Sequence, residues 1–140
     1  MLKQTIDNDT FFEVVKAEVG HCKNMSFTVK GTSMWPFYKD AKTVVYVDSP
    51  KSLKKYDVVL ADYQGKVILH RIIKIKEHTY TLRGDATIRK EVVDLKDIFA
   101  KVTHHQTKHK VSRFSKRYQL AVWLWVNQPF RKLLLRLRSL

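Results

Sequence analysis

The sequence predicts a mainly-β domain, led by a short N-terminal helix and followed by a basic amphipathic helical tail. Three observations carry that expectation. Between residues 26 and 102, short runs rich in Val, Ile, Thr and Tyr recur at close spacing with turn signals between them. From Lys108 onward the apolar residues change to helical spacing. The charge changes at nearly the same place: of a net +14, residues 98–140 carry ten Lys and Arg side chains and no acid, whereas residues 1–97 hold all 13 acids against 17 basic residues.

Each element follows in order. Asp9 and Thr10 can cap a helix through FFEVVKAEVG that ends near Gly20. SFTVKG alternates like a strand and leads into GTSMWPF, residues 31–37. TVVYV is a β-branched run closed by Asp48, Ser49 and Pro50. After the KSLKK turn, DVVLADY and KVILHRIIKI read as two strands joined through Gln64-Gly65, a hairpin signal. HTYTLRG is a further short strand ending at Gly84-Asp85. The stretch from Glu91 to Val102 is open between a turn plus strand and a short helix. SKRYQLAVWLWVNQPFRKLLLRLRSL reads as two helical pieces broken near Asn127 and Pro129, with Asn127 or Gln128 as cap and Pro129 in the first turn of the second. In that second piece Phe130, Leu133, Leu134 and Leu137 share one face, and Arg131, Lys132, Arg136 and Arg138 occupy the remainder.

Length and composition bound the class. A chain of 140 residues suits one domain with a modest core, and four glycines and three prolines argue against low complexity. The single cysteine, Cys22, excludes an internal disulfide framework and fits a reducing compartment; it is expected to be an indifferent thiol. No N-terminal run resembles a secretory h-region, and the longest apolar run, Leu120 to Val126, is far short of the ~20 residues of a spanning helix. The expected location is cytoplasmic, with peripheral contact on the cytoplasmic membrane face as an option. HHQTKH, residues 104–109, is expected to be a solvated basic linker rather than a metal site, since His104, His105 and His109 lack a second ligand group. No cofactor is expected.

Chemistry concentrates around Ser33. A serine hydroxyl needs a base to take its proton, and the base needs orienting. His70, flanked by apolar residues on KVILHRIIKI, is the candidate base, and Asp85 is a carboxylate at a strand end that could reach the second imidazole nitrogen. Residue types alone leave a strand histidine in an ordinary edge contact as the alternative.

The order of pieces says more. GTSMWPF, then YDVVLADY, then ILHRIIKI, then LRGDAT, resembles the signal peptidase I and SOS-repressor (LexA-like) serine peptidase superfamily. That family has a G-x-S-M-x-P box, a GD-V-V strand, a base-bearing strand and a GD-N or GD-A turn. The resemblance covers roughly residues 27–103, with DIFAKV similar to the closing strand. It implies a catalytic β domain over 1–107 with a separate tail over 108–140, and a serine endopeptidase that cleaves a leader or precursor peptide bound as an extended strand. Ser33 would be the nucleophile. The HR context of ILHRII is similar to the endoplasmic-reticulum and archaeal signal peptidases, which use histidine as base where bacterial enzymes use lysine. A histidine can take up a proton near neutral pH without the strong pKa depression that a lysine needs.

Three positions depart from the pattern. Tyr56-Asp57 stands where the family usually has Gly-Asp. The acidic pair found in the histidine-type enzymes after the GDN turn reads Arg89-Lys90-Glu91 here, so the orienting acid is Asp85, the first choice, or Glu91. Gly31 replaces a serine that often assists the oxyanion hole, and such a donor can be worth ~2.7–4 kcal/mol. These departures keep a second reading open, a catalytically weak or inactive peptide-binding module of the same fold. Met34 would lie under the substrate cleft; Phe37 is expected in the core, and Trp35 either there or in a pocket wall. The tail has three readings: packing on the domain or in a homodimer, contact of residues 113–140 with an anionic membrane, or nucleic-acid binding, the least favoured.

Overall fold

The computed structural model describes residues 8–20 and 24–138; His21 and Cys22 lie outside the described residues, so the thiol expectation is not addressed. The chain runs α1 (Asn8–Gly20), β1 (Met25–Thr28), β2 (Val44–Asp48), β3 (Val58–Tyr63), β4 (Lys66–Lys76), β5 (Thr79–Arg83), β6 (Lys90–Asp94), β7 (Ile98–Gln106), β8 (Lys110–Ser112), α2 (Lys116–Asn127) and α3 (Arg131–Arg138). The strands form one eight-stranded antiparallel sheet in the order β1-β2-β7-β3-β4-β5-β6, with β8 paired to β7.

The sheet has apolar residues on both faces, and the alternation along each strand sorts them. Val58 and Leu60 of β3 join a cluster with Val45, Val47, Ala100 and Val102, while Val59 and Ala61 join a second with Ile72, Leu82 and Val93. This double burial explains why VVLA lacks polar alternation: a central strand with core on both sides reads as a continuous apolar run. Helix α1 covers the first cluster through Val15 and Val19. There Phe11, Phe12 and Phe27 meet edge-to-face with centroids 5.3 to 6.0 Å apart. Lys16 ties the helix to Asp62 of β3 at 2.8 Å.

Several expectations change in detail. Asp9 and Thr10 lie inside α1, which already runs from Asn8. The open stretch from Glu91 becomes strand, a 3-10 turn at Leu95–Asp97, and strand. In DIFAKV, Asp97 ends the 3-10 turn and IFAKV opens β7, in the interior of the sheet between β2 and β3. The HHQTKH linker is corrected most. His104 and His105 lie in β7 and pair with both β2 and β8, so the sheet runs past residue 107 to Ser112. His105 is buried, its ring tilted 5.1 Å from Tyr38 and 4.8 Å from Tyr118. Burial first, and the nearby Arg71 and His104 charges next, push its pKa down to about 4. The Gln64-Gly65 hairpin forms as read, both residues at positive φ as a type I′ turn requires.

Candidate active site

The loop after β1 coils tightly. Val29 closes its base by bonding Thr43 O and receiving Ala41 N–H, each at 2.8 Å. Inside, Trp35 N–H donates to Thr32 O, and the Phe37 and Tyr38 N–H groups donate to Met34 O. Met34 and Tyr38, each 1% exposed, anchor the coil in the first cluster. Gly31 sits at φ +89° and donates its N–H to Asp40 Oδ1 at 2.7 Å. A serine would be strained at that φ, so the backbone accounts for the glycine. Ser33 is thereby held half-buried between a left-handed residue and a core anchor.

A second piece of backbone braces the loop. Ala86 N–H donates to Ser33 O at 2.8 Å, and Asp85 N–H reaches Met34 Sδ at 3.5 Å. The turn after β5 and the Ser33 loop are therefore tied to each other. Among the described residues, no acceptor takes the Ser33 N–H.

His70 enters from β4. Its Nδ1 lies 2.5 Å from Glu91 Oε1, with both side chains largely buried. These residues sit on β4 and β6, two strands apart, and β5 lies between them. What lets them meet is Gly84. A Cβ at that position would stand 3.0 Å from His70 Nε2 and 2.7 Å from the Ser33 carbonyl oxygen. The missing side chain is the space the imidazole occupies, and the same point borders Ser33.

Asp85, the first-choice orienting acid, faces elsewhere. Arg71 clamps it with Nε to Oδ1 at 2.8 Å and Nη2 to Oδ2 at 2.7 Å, both side chains fully or almost fully buried. Two further donors of the fork go to Tyr56 O at 2.8 Å and the Tyr118 hydroxyl at 2.9 Å, and Phe37 and Tyr118 flank the guanidinium. Burial opposes the Arg71 charge, yet the Asp85 carboxylate beside it holds its pKa well above the ordinary value. The physical reason for this pairing is alternation. His70 and Arg71 point to opposite faces of β4, and Gly84 and Asp85 do likewise, so histidine meets the gap and arginine meets the acid.

Tyr56, at the position where the sequence pattern has glycine, takes a left-handed backbone at φ +78°. That conformation costs a non-glycine residue of order 1–3 kcal/mol. Its N–H and C=O are both taken, by Ile72 O at 2.7 Å and by Arg71.

The tail reaches the same place. Trp125 Nε1 donates to Asp85 O at 2.8 Å, and Arg131 Nη2 donates to Gly84 O at 2.9 Å, Asp85 O at 2.8 Å and Thr87 O. Burial, with the Arg83 charge adding to it, lowers the Arg131 pKa to about 10. Trp35 packs edge-on to Trp125 at 5.7 Å and carries the Arg138 guanidinium over its ring at 4.4 Å.

A model of the Peptidase S24-like family matches residues 3–103. The chain belongs to the Peptidase S24-like family. No curated protein matches it closely enough to count as a relative. The match spans the Ser33 loop, the strand that carries His70 and the Gly84 turn, and the antiparallel sheet of this S24-like chain agrees with the β fold expected from the sequence. Sequence reasoning missed Gly84, Arg71, Trp125 and Arg131 as parts of the site's support. Only the first two had a signal, the alternation of the HR and GD dipeptides.

Among the described residues, no group of three or more His, Cys, Asp and Glu side chains is arranged to hold a metal ion. A cavity of about 410 Å³ opens between β3, β7 and α2, lined by Lys54, Asp57, His104, Arg113 and Tyr118 among others; Ser33, His70 and Glu91 are not part of its wall.

Proposed function

We propose that this S24-like protein is a serine endopeptidase that processes a leader or precursor peptide, with Ser33 as nucleophile, His70 as general base and Glu91 orienting the imidazole. The observation that carries the reading is the convergence on Gly84. His70 Nε2 and Ser33 border the same point while His70 Nδ1 is engaged by Glu91 at 2.5 Å.

The chemistry follows from that placement. With Nδ1–H donated to the Glu91 carboxylate, Nε2 keeps its lone pair and faces the serine side. Ser33 Oγ attacks the scissile carbonyl carbon, its proton passes to Nε2, and the carbonyl oxygen becomes an oxyanion. The Ser33 N–H supports the role of oxyanion donor, having no acceptor of its own among the described residues. The imidazolium then gives the proton to the leaving amine as the C–N bond breaks. Water, deprotonated by the same nitrogen, releases the acyl group and regenerates Ser33.

An extended substrate has a natural seat. β3 pairs with β4 from Lys66 to Arg71, but β5 pairs with β4 only from Arg71 onward. The other edge of Lys66–His70 is therefore unpaired among the described residues, and it runs directly to His70. A peptide added along that edge would gain main-chain hydrogen bonds and arrive with its carbonyl at the serine.

A fluorophosphonate probe tests the reading. Label is expected on Ser33 in the wild type, absent in Ser33→Ala and strongly reduced in His70→Ala, with cleavage of a mapped peptide lost in both. Labelling at normal rate in a folded His70→Ala variant would remove His70 as base. Peptide binding with neither labelling nor cleavage in the wild type would favour a binding module.

A further inference from the structure

Helix α3 is docked with its leucine face outward. Its buried residues are Arg131 and Leu135, whereas Phe130, Leu133, Leu134 and Leu137 are between 41% and 64% exposed. Helix α2 behaves alike: Val122 is buried and Tyr118 and Trp125 turn inward to bond, while Leu120, Trp123 and Leu124 are each more than half exposed. An amphipathic helix that only covered its own domain would bury this face. Here the domain has instead taken the arginine, through three main-chain carbonyls.

From this arrangement we propose that the outer face of α2 and α3 is a docking surface for an anionic lipid bilayer, on which the helices lie without crossing. Charge chooses the occupant. Lys116, Arg117 and Lys132 stand exposed around the apolar residues, and nothing after Asp97 is acidic. A second copy seated on this face would bring an equally basic, acid-free tail against it, with no carboxylate in either tail to neutralise the other. A nucleic acid would engage the cations but offer little to a face of Leu and Phe. The headgroup region of an anionic membrane takes both, rings and leucines into the acyl boundary and ammonium and guanidinium groups at the phosphates. Among the described residues no helix is long and apolar enough to span. Because Trp125 and Arg131 bond the turn that carries Gly84, the docked face would also fix the orientation of the Ser33 cleft relative to the bilayer. The inference does not rest on catalysis.

The full-length protein is sedimented with vesicles of phosphatidylcholine alone and of phosphatidylcholine with phosphatidylglycerol, at low and high salt. It should pellet with the anionic vesicles at low salt and be released at high salt. Leu133→Asp with Leu137→Asp should weaken binding by about tenfold for each leucine. Circular dichroism and the unfolding midpoint should be unchanged, since both side chains already face solvent. A protein that stays in the supernatant with anionic vesicles at low salt overturns the proposal. So does equal binding by the folded double variant, or equal binding to the neutral vesicles. Self-association that the same substitutions abolish, without vesicle binding, would assign the face to a second copy instead.

Discussion

Adding one methyl group at Gly84 perturbs the site without altering the side chain of Ser33 or His70. Gly84 has no positive φ, so alanine meets no backbone penalty there and the effect is steric. The new carbon would lie 2.7 Å from the Ser33 carbonyl oxygen, about 0.7 Å short of ordinary contact, and 3.0 Å from His70 Nε2. Neither neighbour can retreat easily. The Ser33 carbonyl is bonded to Ala86 N–H at 2.8 Å and leads into the buried Met34, and the imidazole is held at its other nitrogen by Glu91. Relief must come from moving Ser33 away from His70 by a good fraction of an ångström. Misplacement on the order of 1 Å can cost about 10²-fold in rate, so kcat/KM for a mapped peptide substrate should fall by about 10²-fold. Stability should fall by about 1–3 kcal/mol, the usual cost of overpacking. Gly65→Ala is the control, with open space around the new carbon but φ +78°; it should cost some stability and no activity. A folded Gly84→Ala enzyme with near wild-type kcat/KM would refute the idea that Gly84 makes room for the base.

Two further substitutions separate Glu91 from Asp85. Glu91→Gln should lower kcat by as much as about 10⁴-fold by favouring the wrong tautomer while moving the unfolding midpoint little; Asp85→Asn should destabilise by about 3–5 kcal/mol because Arg71 is left buried with half a partner. If Asp85→Asn instead lost activity in a fully stable protein and Glu91→Gln did not, the orienting role would pass to Asp85. His105 predicts a pH effect on stability: its folded pKa, about 4, lies below the ordinary histidine value of 6.5. The contribution is therefore complete above pH 6.5 and is lost as pH falls toward 4, on the order of 2–3 kcal/mol. Denaturant unfolding of wild type and His105→Gln between those values should show the step only in the wild type, and parallel curves would exclude His105 as its source.

Much of the fold was legible because its signals are local. Val44 to Val47, the Gln64-Gly65 turn and the switch of period after Lys108 need no partner to be read. The Ser33 loop and His70 were legible through the order of four motifs, each short but arranged in one sequence. The carboxylate that meets His70 was not, since Asp85 and Glu91 are both plausible by distance along the chain. The choice depends on which face of the sheet each residue shares with His70. That requires the ladder register, Ile72 opposite Leu82 and Leu82 opposite Glu91, together with a residue between the strands that has no side chain. The tail left its three readings open for a different reason. Its apolar stripe was plain, but a stripe alone does not say whether the domain, a second copy or a membrane covers it. A buried arginine whose acceptors are main-chain carbonyls leaves no mark in sequence, because any residue can supply a carbonyl.

The change at residue 108 is a change of composition with no matching break in packing. β8 continues the sheet to Ser112, the Tyr118 hydroxyl receives a donor of the buried Arg71, and Trp125 and Arg131 satisfy the carbonyls of the turn that braces Ser33. A buried carbonyl without a donor costs about 1–3 kcal/mol, so the turn depends on the helices as much as they depend on it. Arginine suits the position because one Nη group can approach several carbonyls converging from a tight turn, and its charge survives burial where a lysine would be easily neutralised. The basic tail thus contains cations with opposite placements. Arg131 points inward to the turn that carries Gly84, while Lys116, Arg117 and Lys132 stay in solvent beside an exposed leucine face. Neutralising the outer group should leave the geometry around Gly84 intact, whereas losing Arg131 would free that turn. Surface association and site geometry can therefore be altered separately although both come from the same two helices.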